Sequence, residues 1–214
     1  MVNGPAAEEA PEIARDNPEL GIGLHVAFTG LRSSLGPRAI PSLLDAEGLL
    51  PARPDGLVRA RPEHLLAEAR AQFRRFRELL GRLPTHFDSH HHAHRLPAVL
   101  EALLVLAWET GLPVRAASPE VQARLRLEGL RTTDAFRDEF FGAAATPETL
   151  CRVIGDVGPG VTELMCHPAE VDDALRQASS YAEPRSAELA ALTGAEARQT
   201  LQATGVRLVD FTAV

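Results

Sequence analysis

Lysine is absent from this chain of 214 residues, so all 22 of its permanently basic side chains are arginines. That excludes Schiff-base chemistry on a lysine and the lysine of a phosphate-binding P-loop. Cysteine is scarce: Cys151 and Cys166 are the two present, and they form no C-x-x-C pair. Neither a disulfide framework nor a thiolate zinc site is expected, and the compartment reads as reducing. Positive charge is in deficit, with a formal net charge of -7. Nucleic acid is thereby disfavoured as a partner, because its affinity rests on phosphates neutralised by clustered basic groups. Long apolar runs are missing too. The most hydrophobic stretch, Leu96 to Trp108, is too short to span a bilayer and is interrupted by Glu101, and the first residues are polar and acidic, unlike a signal peptide. A cytoplasmic protein without a membrane partner is the expectation. What remains, 45% hydrophobic and 24% charged, is ordinary globular composition and predicts a single domain over 1–214.

Against that plain background one stretch stands out. Thr85 to His94 reads THFDSHHHAH, five histidines and an aspartate in ten residues. Neutral imidazole is a ligand for divalent metals and a carrier of protons, and a nearby carboxylate fixes its tautomer and orientation.

The surrounding pattern predicts where the cluster sits. Residues 4–17 carry Ala6, Ala10, Ile13 and Ala14 at helical spacing. In GIGLHVAF, Ile22, Leu24 and Val26 alternate with Gly21, Gly23, His25 and Ala27, a strand whose second face is lined by small residues. That face predicts open volume beside the His25 imidazole, although His25 taken alone reads more readily as a core histidine satisfied by one hydrogen bond. Residues 31–61, with Pro37, Pro41, Pro51 and Pro54, predict a long loop, which reads equally as a lid or binding segment and as a surface insertion with no role. Pro62 to Leu80 is an amphipathic helix with Leu65, Leu66, Ala69, Phe73, Phe76 and Leu80 on one stripe, arginines and glutamates on the other, and Gly81 as its cap. A short strand, Leu83 to Asp88, leads into the histidines, and a helix follows from Pro97. A strand at Leu112 to Ala116 carries Arg115, and an irregular stretch runs to Ala145. Thr146 and Pro147 open another helix. Val161 to Cys166 is a strand ending before His167, followed by helices over 186–192 and 194–203 and a last strand, Val206 to Phe211.

Alternating strands and helices predict a parallel sheet, whose ligand sites lie at the carboxyl ends of its strands. His25, the Asp88 to His94 cluster, Arg115 and His167 all fall late in predicted strands or just after them. In an extended chain His86, Asp88 and His90 share parity, and His90 and His94 stand one turn apart if the helix starts early. With His25, the smallest constellation is two imidazoles and a carboxylate around one divalent ion, which suits metal-assisted hydrolysis. His167 is placed for general acid or base work, whereas no local signature of a cysteine hydrolase surrounds Cys166. Glu163 and Asp210 are alternative carboxylates.

GLHVAFTG (Gly23 to Gly30), THFDSHHHAH, the Arg115 strand and TELMCHPAE (Thr162 to Glu170), then Tyr181 and Arg185 before a C-terminal helix, resemble the motifs of the YdjC-like carbohydrate deacetylases in their order. The resemblance implies a (β/α)-barrel-like deacetylase fold with parallel strands and hydrolysis of the N-acetyl group of an acetylated amino sugar. It also implies a divalent metal, Mg2+ in the family, with Zn2+ or Ni2+ as alternatives. On this chain the two histidine ligands are then His25 and His90. His167 matches the active-site histidine that protonates the leaving amine, and Arg115 matches a basic residue near the catalytic carboxylate.

One part of the family pattern has no counterpart. Members open on a strand ending in Asp-Asp-Phe-Gly, whose aspartates serve as general base and metal ligand, whereas this chain opens MVNGPAAEEAPEIARDNPELGIGLH. A barrel of this kind typically needs about 250 residues. The expectation is an N-terminally truncated deacetylase, impaired as written, whose exposed strand edges favour a homo-oligomer. Two other readings compete with it. One is a non-catalytic protein that binds a saccharide or a partner. The other is a different metallohydrolase in which Asp88 or Glu163 supplies the third ligand.

Overall fold

The acidic opening segment becomes helical only at Ala10–Asp16 (α1), with a proline in its first turn, and stops at Asn17, one residue before Pro18. A computed structural model describes residues 1–214, and they gather into two compact units: 1–132 with 210–214, and 133–209. Each unit contains one parallel strand pair joined through helix.

In the first unit Leu24–Val26 (β1) is followed by the long proline-rich loop, which holds only short 3-10 turns at Pro41–Leu43 and Pro54–Leu57. Helix Pro62–Leu80 (α2) spans the residues its periodicity predicts, and Gly81 closes it in the left-handed region at φ 64°. Phe87–Ser89 (β2) then pairs parallel to β1, with Leu24 opposite Phe87, His25 opposite Asp88 and Val26 opposite Ser89. Val114 adds a parallel bridge to Phe87. Side chains alternate across a strand, so one row, Leu24, Phe87 and Val114, is buried in the core while the neighbouring row, His25, Asp88 and Arg115, takes the other face. Helix Pro97–Thr110 (α3) buries Leu103, Leu104 and Leu106 against that core, each contributing roughly 2 kcal/mol.

The inner face of α2 is less apolar than its stripe of leucines and phenylalanines predicts. Glu68 and Gln72 are fully buried on it. The Gln72 amide accepts the Ala27 N–H and donates to the Ala27 carbonyl, both at 2.8 Å, and also donates to Glu68. Glu68 in turn accepts the N–H groups of Ser34 and Leu35 at 2.7 and 3.0 Å. Buried backbone groups need partners. These two side chains supply them, fastening the chain that leaves β1 and the start of the loop to the helix.

The small face of β1 is not open. A Cβ on Gly23 would run into the His86 ring, and one on Gly21 into the Asp210 carboxylate. The predicted volume is filled by His86, which stacks on Phe211 with ring centres 3.7 Å apart and keeps its Nδ1 3.0 Å from the Thr85 hydroxyl. Phe211 belongs to no strand, contrary to the pattern over 206–211. Asp210 accepts the Thr212 N–H and starts a 3-10 turn at Phe211–Ala213 instead. Because the ring is held on two sides, Gly23→Ala is expected to destabilise the protein by about 2 kcal/mol as an overpacking change. The thermal midpoint should then fall by roughly 4–8 °C; an unchanged melting curve would show that His86 moves aside.

The stretch after Ala116 is more regular than its sequence predicts. Ser118 accepts the Val121 N–H and caps helix Pro119–Leu127 (α4), a start signal in the residues themselves. The second unit begins with Ala135–Arg137 (β3), passes through helix Pro147–Gly155 (α5), which Thr146 caps as expected, and returns in Thr162–Leu164 (β4), parallel to β3. Helices Asp173–Ala178 (α6), Pro184–Thr193 (α7) and Ala195–Thr204 (α8) complete it, over a core of Phe140, Leu150, Ile154, Ala191 and Ala197. No helix in the chain is long and apolar enough to cross a membrane.

Candidate active site

The register of β1 and β2 builds the centre of the first unit. With His25 opposite Asp88, the His25 Nδ1 lies 2.7 Å from Asp88 Oδ2. The next backbone is hung on Phe87, which donates to the Pro113 carbonyl and accepts the Arg115 N–H, each at 2.9 Å. Arg115 Nη1 consequently reaches the same Asp88 oxygen at 2.5 Å. Asp88 is buried, and burial alone would raise its pKa; His25 and Arg115 outweigh that and hold the carboxyl well below the usual carboxylate range. The ionised carboxylate accepts the Nδ1–H of His25, so Nε2 is the ring nitrogen that a metal ion could take.

That Nε2 faces His90, whose Nδ1 is 3.4 Å away. Two nitrogens bound to one tetrahedral ion at about 2.0–2.1 Å lie roughly 3.3 Å apart, so the observed separation suits a shared ion. No group of three or more His, Cys, Asp or Glu side chains in the chain is arranged to hold a metal. A pair of imidazoles suits zinc or nickel better than magnesium, which demands oxygen ligands.

The turn after Ser89 decides which histidine takes part. His91 and His92 adopt the left-handed region at φ 55° and 50°, uncommon for residues with a side chain. Each costs on the order of 1–2 kcal/mol, a strain that characteristically gathers at functional sites. The reversal brings the His94 N–H to the Ser89 hydroxyl at 3.0 Å and sets His94 Nδ1 2.6 Å from the same oxygen, while its Nε2 is buried without a hydrogen-bond partner. His90 and His94 therefore do not share a helical face; His94 is turned into the interior. Burial lowers its pKa to about 3, and burial likewise lowers that of His86 to about 4. His91 stacks on His90 at 3.8 Å and places its Nδ1 3.0 Å from the Thr29 hydroxyl, packing the ring of His90 from the outside.

Of the expected residues, His25, His90 and Arg115 thus converge through Asp88 in the first unit, while His86 turns to Gly23 and Phe211. Asp88 serves as the clamp between His25 and Arg115.

His167 belongs to the second unit, just after β4, in a cluster of its own. Its N–H donates to Glu188 Oε2, and its carbonyl accepts from Arg185 Nη1 at 3.2 Å. The other oxygen of Glu188 accepts the Tyr181 hydroxyl, which itself accepts the Gly142 N–H at 2.8 Å. Burial, followed by the Glu188 carboxylate, raises the Tyr181 pKa to about 12, so the hydroxyl stays protonated and donates. Sequence reasoning missed Glu188, yet its signal is readable: it stands three residues before Ala191 on the buried face of α7, and a carboxylate there demands partners. Cys166 is in no disulfide.

An α/β chain with parallel strand pairs and histidines at their carboxyl ends is the class that fold and site define. The YdjC-like protein family model matches residues 1–203, and the chain belongs to that family. It is 39% identical over 213 residues to a carbohydrate deacetylase of Geobacillus stearothermophilus, covering 99% of this chain and 83% of that protein. A chitooligosaccharide deacetylase of Citrobacter koseri is 36% identical over 221 residues, covering 99% and 84%. The crystal structure of an Enterococcus faecalis V583 protein, ascribed a role in cellobiose-phosphate cleavage, superposes with a TM-score of 0.92 at 30% identity, over 100% of this chain and 85% of that one. The expected parallel-strand α/β fold is therefore the fold of the chain.

Proposed function

We propose that the chain is a metal-dependent hydrolase that removes N-acetyl groups from acetylated amino sugars or their oligosaccharides. The observation that carries the reading is the 3.4 Å approach of His25 Nε2 to His90 Nδ1, with Asp88 holding the far nitrogen of His25. His25 and His90 would hold a divalent ion, which when bound polarises the amide carbonyl and acidifies water. Asp88 fixes the tautomer of His25, and His25 and Arg115 together keep Asp88 ionised. His167 donates the proton that lets the amine leave, its backbone pinned by Glu188 and Arg185. The family membership and the names of the relatives support this substrate class.

A second reading is favoured by the donor set, which stops at two imidazoles: a protein that binds saccharides through the same residues without turnover. One assay separates the two. Acetate release from N-acetylglucosamine oligomers is expected with added Zn2+, Ni2+ or Mg2+ and not in chelator. His167→Ala should cut it about a hundredfold, while leaving metal binding by calorimetry unchanged. His25→Ala and His90→Ala should each abolish saturable metal binding. Release that persists in chelator or in both histidine variants would overturn the metal-dependent reading; saccharide binding with no acetate released under any ion would establish the second.

A further inference from the structure

In the second unit one aromatic ring faces solvent although everything behind it is fixed. Phe140 is fully buried, and because Phe141 is extended, at φ −150° and ψ 143°, its ring turns the opposite way and is 43% exposed. One face of that ring lies on Tyr181, with centres 4.1 Å apart and planes 6° from parallel, and its edge relation to His167 is 5.6 Å at 71°. Gly142, left-handed at φ 61°, turns the chain immediately afterwards and gives its N–H to the Tyr181 hydroxyl. Tyr181 is held in turn by the buried Glu188, which also takes the His167 N–H, and by Arg185, whose Nε reaches the Tyr181 carbonyl at 2.6 Å. The Tyr181 ring on which Phe141 lies and the backbone of His167 are therefore held by the same buried carboxylate.

We propose that Phe141, backed by Tyr181, is the stacking platform for a pyranose ring next to the acetylated sugar, and so sets a preference for oligosaccharides over the single sugar. A pyranose presents a patch of C–H bonds on one face, and the negative face of an aromatic ring is complementary to it. The platform is one ring wide, the size of one sugar unit rather than of a protein-binding patch. Its stacking on Tyr181 limits the ring motion that the ligand has to freeze, which lowers the ordering cost of binding. The proposal rests on the deacetylase reading of His167, and its test is chosen so that the two can fail separately.

The test uses the full chain with N-acetylglucosamine and its β-1,4-linked dimer. The expected result is that wild type prefers the dimer, and that Phe141→Ala and Phe141→Leu raise KM for the dimer about tenfold with kcat nearly kept, leave the monomer unchanged, and keep the thermal midpoint. Phe141→Tyr, which preserves the ring, should behave as wild type. Equal losses on monomer and dimer, or no loss on either, would overturn the platform. Should no substrate release acetate, the deacetylase reading fails while the platform is still tested by calorimetric binding of the dimer: weakening about tenfold in Phe141→Leu supports it, and unchanged or absent dimer binding overturns it.

Discussion

Asp88→Ala is expected to lower the stability of the protein by about 3–5 kcal/mol, the range for removing one partner of a buried ion pair. The carboxylate now sits between His25 Nδ1 and the mostly buried Arg115 guanidinium. Its loss leaves Arg115 in the interior without that negative charge. Thermal unfolding followed by circular dichroism should show a midpoint about 10 °C lower. Asp88→Asn separates charge from shape: it keeps the side-chain volume, so its stability loss should be smaller than that of the alanine variant, while metal-dependent activity falls because an amide, which donates as well as accepts, fixes the tautomer of His25 less strictly than a carboxylate. Second-layer partners of metal-bound histidines typically change affinity or activity by about 10–100-fold. A midpoint for Asp88→Ala within about 2 °C of wild type would refute the clamp.

The protein should also become markedly less stable between pH 7 and pH 5. Burial lowers the pKa of His86 to about 4 and that of His94 to about 3, whereas both return to about 6.5 when the chain unfolds. Between those values the unfolded state binds more protons than the folded one, so stability rises with pH and is lost as pH falls below about 6.5. At pH 5 each imidazole costs about 2 kcal/mol. Together they approach the lower end of a typical folding free energy of about 5–15 kcal/mol. The thermal midpoint is expected to drop by about 10 °C. Asp88 has the opposite sense: its lowered pKa contributes stability above about pH 3.8 that is lost only as pH falls further, toward its folded value. The decline above pH 4 therefore belongs to the buried imidazoles, and a flat midpoint from pH 7 to pH 5 would show that they are solvated.

Both results turn on a division among the histidines that the cluster itself does not reveal. Five imidazoles in ten residues announce a site, and the family motifs single out His90, but the role of each ring follows from contacts made by residues far away in the chain. Phe211 fixes the ring of His86 from 125 positions downstream, as the numbering of the two residues gives. Ser89 captures His94 only because His91 and His92 accept left-handed backbone. Periodicity reports which face of an element is apolar, so α2 is legible from Pro62 to Leu80 with its Gly81 cap. It does not report that Glu68 and Gln72 on that inner face bond to the backbone leaving β1 and to the loop. In the same way Glu188 reads as one more helix carboxylate until His167 and Tyr181 are seen to converge on it.

The amino-acid sequence by itself determined the helix and strand alternation, the parallel pairing it implies, the caps at Gly81 and Thr146, and the family, because these depend on local spacing and on motif order. Tertiary structure alone decided that Asp88 clamps His25 and Arg115, that His86 and His94 are buried, and that Phe141 lies partly exposed on Tyr181. Strand register and side-chain convergence are long-range properties: shifting β2 by one residue against β1 would leave every local pattern intact and take Asp88 to the other face.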